Sequence, residues 1–162
     1  MTRVLVLTTG GTIDKIYFDA KSEFEVGKSM VRELLRQAHV DVDVTVQEVL
    51  RKDSLDMTDA DRALVRGAVE KANETRIVVT HGTDTMTDTA RALVGIPGKT
   101  IVLTGALAPA RFAVTDATFN VGMAFAAVQT LSPGVYVVMN GQVFDGTKVT
   151  KDRNANRFVE TG

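Results

Sequence analysis

Apolar residues in this chain come in short, dense runs that stop at glycine or at polar turns. Val4-Leu5-Val6-Leu7, Ile77-Val78-Val79 and Ile101-Val102-Leu103 are too short for core helices and rich in branched side chains. Such runs read as strands buried on both faces, the pattern of a parallel sheet. They predict strands at about residues 3–8, 76–80 and 100–104. Val42-Asp43-Val44-Thr45-Val46 alternates instead and predicts a strand from 42 to about 50, and Val135 to Met139 predicts another. Asn140-Gly141 then signals a tight hairpin with a partner strand at about 142–144.

Helical spacing fills the gaps. Met30, Val31, Leu34, Leu35 and Ala38 form one stripe behind Ser29, a capping residue. Thr58, with Asp59 and Asp61 behind it, opens a second helix whose sheet-facing side is assigned to Ala60, Leu64, Ala68 and Ala72. Met86 to Val94 predicts a third, stopped by Gly95-Ile96-Pro97-Gly98. A fourth spans about 116–131, with the Met and Phe residues of 119–128 assigned to the core. Strand and helix alternate without a repeat or linker, which implies an α/β fold: a three-layer sandwich on a largely parallel, flavodoxin/Rossmann-like sheet, one domain over residues 1–162. Right-handed crossovers gather the turns that follow strands at one edge of the sheet. Residues 14–26 show no period and read either as a lid or binding loop or as a surface hairpin. Residues 145–162 read as a polar, partly extended tail.

Composition narrows the chemistry. The 19 basic and 20 acidic residues are interspersed, with net charge −1, so no basic patch points to nucleic acid. No apolar run is long enough to span a bilayer, and the opening residues read as a strand rather than a secretory signal. Cysteine is absent, which excludes disulfides and thiolate sites, and two histidines, His39 and His81, are too few for a typical zinc cluster. A cytoplasmic protein needing no metal or cofactor is the expectation.

The candidate chemistry lies in two turns. Thr8-Thr9-Gly10-Gly11-Thr12-Ile13 follows the first strand, and Thr80-His81-Gly82-Thr83-Asp84-Thr85 follows the strand at 76–80. Each ends a strand in glycine and presents hydroxyls, the second at a helix start where N–H groups and the helix dipole favour anions. Two such turns on one sheet edge suggest one shared site. A threonine hydroxyl becomes a nucleophile only when a base takes its proton. Thr12 also fits an ordinary strand–helix turn, since neither a P-loop nor a dinucleotide fingerprint is complete around it. Tyr17 is the nearest phenol to Thr12 in sequence and fits either its activator or a packed loop aromatic. Ser54 alone reads as a turn serine, Lys151 alone as a solvated lysine, and His81 as a structural prop for its turn.

Thr-Gly-Gly-Thr-Ile after the first strand, with His-Gly-Thr-Asp-Thr after a later one, resembles the bacterial-type L-asparaginase family, specifically its amino-terminal catalytic domain. The resemblance implies hydrolysis of asparagine to aspartate and ammonia. It implies a nucleophile at Thr12 and a second catalytic group of Thr83, Asp84 and Lys151. Gly11, Ser54, Thr83 and Asp84 would hold the substrate's charged α-groups. Tyr17 is assigned the activating role by its chemistry, because Phe24 stands where the family's loop tyrosine is usual. Leu55 replaces the glutamine that usually follows the family serine. The family's second domain is not in this sequence, and its neighbour-subunit acid would fall to Asp56, Asp152 or Glu160. Self-association as a homodimer or homotetramer is therefore expected. A non-catalytic amino-acid-binding module and an ammonia-supplying amidotransferase subunit are the competing readings.

Overall fold

Successive residues of a strand point to opposite faces of a sheet, and here both faces are apolar. In the computed structural model, which describes residues 2–162, that alternation sorts the core into two layers. Val4, Val6, Val78, Val102 and Val138 face one side; Leu5, Leu7, Ile77, Val79, Ile101, Leu103, Val137 and Met139 face the other. The strands are β1 (Arg3–Gly10), β4 (Asp43–Lys52), β5 (Arg76–Thr80), β6 (Thr100–Thr104), β7 (Gly134–Met139) and β8 (Gln142–Asp145), in the order β4-β1-β5-β6-β7-β8. All neighbours are parallel except β7 and β8, which form the hairpin across Asn140-Gly141. Both of those turn residues have positive φ, as a primed turn requires. Helices α1 (Val31–Gln37) and α4 (Ala117–Thr130) cover the first face, and α2 (Asp59–Lys71) and α3 (Met86–Ala92) cover the second.

Counted in chain order, the five parallel strands lie 2-1-3-4-5, so the chain leaves β1 toward one edge and returns to β5 on its other side. Ligands of open α/β sheets sit at this reversal, outside the carboxyl ends of the two strands. Thr8, Thr80 and Thr104 lie level across β1, β5 and β6, so the strands end together there.

Four expectations are refined. Residues 14–26 are a hairpin, β2 (Lys15–Phe18) against β3 (Glu23–Val26). The buried side of α2 is Asp61, Val65 and Val69, while Leu64 is 58% exposed. Asp61 belongs inside because it closes a capping box with Thr58 and accepts from Lys52 Nζ at 2.9 Å. Phe119 is 63% exposed and leaves the 119–128 stripe to Val121, Ala124, Phe125 and Val128. The tail is a second hairpin, β9 (Val149–Asp152) against β10 (Arg157–Glu160), fixed by Val149 and Phe158 in the core. Phe158 N donates to Asn140 Oδ1 at 2.7 Å, and Arg91 Nη2 donates to Val149 O at 3.3 Å. Among the described residues no helix is long and apolar enough to cross a membrane.

Removing the Phe158 ring empties a fully buried site, so Phe158→Ala should cost about 3–5 kcal/mol in urea unfolding. Unchanged stability would mean that the β9–β10 hairpin lies outside the cooperative core.

Candidate active site

The site begins where three turns meet. Gly11 has φ +84° and donates its N–H to Lys52 O at 2.9 Å, so the turn after β1 is tied to the end of β4. A Cβ on Gly11 would overlap Cα and N of Gly82, and one on Gly82 would lie 2.6 Å from Cβ and Oγ of Ser54. The turns after β1, β5 and β4 therefore touch in that sequence, two of them backbone to backbone. Thr9 Oγ1 donates to Thr80 O at 2.8 Å and stitches the first two together beneath this contact.

The candidate side chains stand around that contact. Thr12 follows Gly11 directly, half-buried at the head of a short 3-10 turn, Thr12–Asp14. Thr83 is buried, and Lys151 Nζ donates to its Oγ1 at 2.7 Å and to Asp84 Oδ1 at 2.9 Å. The Lys151 side chain is only 10% exposed, a consequence of its place on β9 opposite Phe158. Arg153 Nε lies 3.8 Å from the same Asp84 oxygen. Ser54 is buried in the turn Ser54–Asp56; its Oγ accepts from Thr85 N at 3.3 Å, and its carbonyl accepts from Thr85 Oγ1 at 2.9 Å. Gly11, Thr12, Ser54, Thr83, Asp84 and Lys151 are thus gathered at one edge of the sheet. Tyr17 is not joined to them. It is 52% exposed on β2, and its ring lies 5.3 Å from that of Phe24, its cross-strand partner, which in turn lies 5.7 Å from Phe112. The two residues weighed for the loop's aromatic role therefore stand side by side.

His81 holds the second turn from within. Gly82 O only accepts, so Nδ1 at 2.7 Å carries the proton, and Nε2 accepts from Thr89 Oγ1 at 2.7 Å. Burial drives its pKa down to about 4, with Arg62 adding to the shift and the Gly82 bond opposing it. Asp14 shifts the other way. Burial raises it to about 6, against hydrogen bonds from Ser29 and Met30 N and the charge of Arg111.

Several supporting groups have no local signature in the sequence. Asp14 O accepts from Gly27 N at 2.8 Å and closes the root of the β2–β3 hairpin. Arg111 grips the same root, donating to Asp14 O at 3.1 Å and Lys28 O at 2.7 Å. Asp116 accepts from Leu107 N and Ala108 N and shapes the loop after β6. Arg111 in particular joins residues 97 and 83 positions away, which residue spacing does not encode. Among the described residues no group of three or more His, Cys, Asp or Glu gathers to hold a metal ion.

The family model for the asparaginase amino-terminal domain matches residues 3–158. The chain is 34% identical to L-asparaginase 2 of Escherichia coli over 162 aligned residues, covering 93% of this chain and 47% of that protein. The structure of the thermostable L-asparaginase from Thermococcus kodakarensis superposes with a TM-score of 0.86 at 28% identity, over 98% of this chain and 51% of that one. A 90-residue stretch is 39% identical to one subunit of the glutamyl-tRNA(Gln) amidotransferase of Methanococcus vannielii, covering 50% of this chain and 21% of that protein. The chain spans about half the length of the asparaginases it matches.

His81 and Asp14 predict opposite acid behaviour. His81 contributes stability that is present above its unfolded pKa of 6.5 and lost as pH falls through about 4. Asp14 contributes stability present below 3.8 and lost as pH rises through about 6. Each shift corresponds to about 3 kcal/mol, so the two largely offset between pH 4 and 6. In urea unfolding across that range, Asp14→Asn should leave a net loss of stability on acidification, and His81→Gln a net gain. Variant profiles that superpose on the parent's would contradict this.

Proposed function

We propose, for a chain that belongs to the asparaginase family through that family's amino-terminal domain, that it hydrolyses the side-chain amide of L-asparagine to L-aspartate and ammonia. The observation that carries this reading is the contact of the Gly11 turn with the Gly82 turn beside the Lys151–Thr83–Asp84 cluster. One small zwitterion beside that contact would reach both turns and the cluster. Asp84 receives its α-ammonium group. The Gly11 turn and the Ser54 hydroxyl hold its α-carboxylate; Ser54 Oγ accepts from Thr85 N and so keeps its own hydrogen for the ligand.

Thr12 Oγ attacks the amide carbon, with Tyr17 taking the hydroxyl proton as the hairpin brings the phenol inward. The developing oxyanion faces N–H groups of the Thr83 turn, an interaction that can be worth ~3–4 kcal/mol. The C–N bond breaks, ammonia leaves with the transferred proton, and water releases aspartate from the acylated threonine. Lys151 donates to Thr83 Oγ1, which leaves that hydroxyl's hydrogen free to position the water. Thr12, Tyr17, Thr83, Asp84 and Lys151 are then the catalytic residues, and Gly11, Ser54, Thr83 and Asp84 bind substrate. This chemistry needs no metal or cofactor. Glutamine, one methylene longer, is the competing substrate.

Phe112 and Val114 are exposed apolar residues beside the hairpin, and this supports assembly as a homodimer or homotetramer. The lack of cysteine suits a cytoplasmic protein. A second reading, an ammonia-supplying amidotransferase subunit, is supported by the similarity to the Methanococcus amidotransferase.

Purified protein should release ammonia from millimolar asparagine, and Thr12→Ala should abolish release while circular dichroism and aspartate binding persist. Lys151→Met should lower kcat by at least about tenfold, the scale of a lost charge-assisted hydrogen bond to Thr83 Oγ1. Aspartate binding without release from either amide would favour a binding module. Release only in the presence of a partner protein would favour the amidotransferase reading. Substantial activity in Thr12→Ala would move the nucleophile elsewhere. Sedimentation at micromolar concentration should give a dimer or tetramer, and Val114→Ser with Phe112→Ser should shift it toward monomer; a monomeric parent would contradict the assembly.

A further inference from the structure

We propose that the Lys15–Asp53 ion pair is a positioning device that couples the β2–β3 hairpin to the Ser54 wall of the pocket, so that the hairpin's pose sets how tightly the amino acid is held. The inference rests on the hydrolase reading above and extends it to two residues outside the reacting groups.

The chain of contacts is direct. Lys15 opens β2, and its Nζ lies 2.9 Å from Asp53 Oδ2, with side chains 26% and 31% exposed. The other oxygen of that carboxylate accepts from Leu55 N at 3.1 Å and caps the turn Ser54–Asp56. One carboxylate therefore grips the hairpin with one oxygen and folds the substrate-binding turn with the other. Burial pushes Asp53 up, but Lys15 and Leu55 N–H outweigh it and hold the carboxyl below its ordinary range. Ser54 in turn bonds Thr85 and abuts Gly82, so motion at Asp53 reaches the Gly82–Thr85 turn through contacts already made. The Gly27–Asp14 bond and the Arg111 fork hold the same end of the hairpin, one residue beyond the Lys15–Val26 pair. An open, charged groove lined by Lys15, Phe24, Glu25, Arg51, Asp53 and Asp56 runs beneath the hairpin where the ion pair crosses. Beyond that crossing Tyr17 and Phe24 face solvent, so the hairpin's outer half is free to move against a fixed root and a charged tie.

A double-mutant cycle on the full chain tests this. Lys15→Met keeps the aliphatic stem, and Asp53→Asn keeps an oxygen for Leu55 N–H while losing the charge. Each single variant should raise KM for asparagine and Kd for aspartate about two- to fivefold, the scale of a partly exposed ion pair. The change in kcat should be smaller. Hydrogen exchange of residues 15–26 should speed up in each single variant, and the double variant should be no worse than either. At high salt the parent should approach the variants. Singles that match the parent, singles whose effects multiply in the double, or a raised KM without faster hairpin exchange would each overturn the proposal. The hydrolase reading fails separately. If the parent binds aspartate but never releases ammonia, exchange and aspartate affinity still read out the ion pair. If the parent hydrolyses asparagine and the variants behave as it does, the ion pair alone is refuted.

Discussion

Two turns of the main chain touch where the sheet reverses direction, and nothing larger than hydrogen fits between them. Any side chain on Gly11 would drive into Gly82, and any on Gly82 would drive into Ser54. This contact fixes the separation of the ends of β1 and β5 more tightly than apolar packing does, because backbone atoms have no rotamers through which to yield. Threonines then follow each glycine by one residue, so the closeness of the backbones becomes closeness of hydroxyls. The reversal in strand order supplies the crevice, and the glycines set its width.

The rest of the molecule serves that edge by long-range ties. The β9–β10 hairpin is held by Phe158 and Val149 in the core, and its one lysine, paired with Phe158, meets Thr83 and Asp84. His81, neutral and sealed from water, supports the second turn by accepting from Thr89 and donating to Gly82. On the other flank the β2–β3 hairpin hangs from Asp14, Arg111 and Asp53, three groups drawn from three loops. The crevice thus has one rigid wall, built on strands and the tail hairpin, and one wall carried by a tethered hairpin. That division suits a site that must admit a charged molecule and then exclude water from it.

Much of this was legible from residue order. Strands buried on both faces leave dense β-branched runs, so β5 and β6 are found at the residues expected for them, and β4 and β7 begin within a residue of expectation. Both glycine turns are marked locally. What was hidden depends on contacts between distant residues. The buried side of α2 turns on Asp61, a charge that spacing assigns to solvent and that Thr58 and Lys52 bring inside. The tail reads as polar because only Val149 and Phe158 enter the core. Lys15 and Asp53 are separated by a helix and a ten-residue strand, so no local pattern pairs them. Tyr17 and Phe24 compete for one role on paper; in the fold they are cross-strand neighbours, and the choice between them passes to the hairpin's motion.

The most direct test of the central contact is a crystal structure with L-aspartate bound. One aspartate is predicted to lie beside the contact of the two turns, its α-ammonium on Asp84, its α-carboxylate at Ser54 and the Gly11 turn, and its side-chain carboxyl between Thr12 and Thr83. Aspartate bound well away from the meeting of these turns, or a refined distance between the Gly11 and Gly82 turns too great for a single amino acid to touch both, would contradict the account.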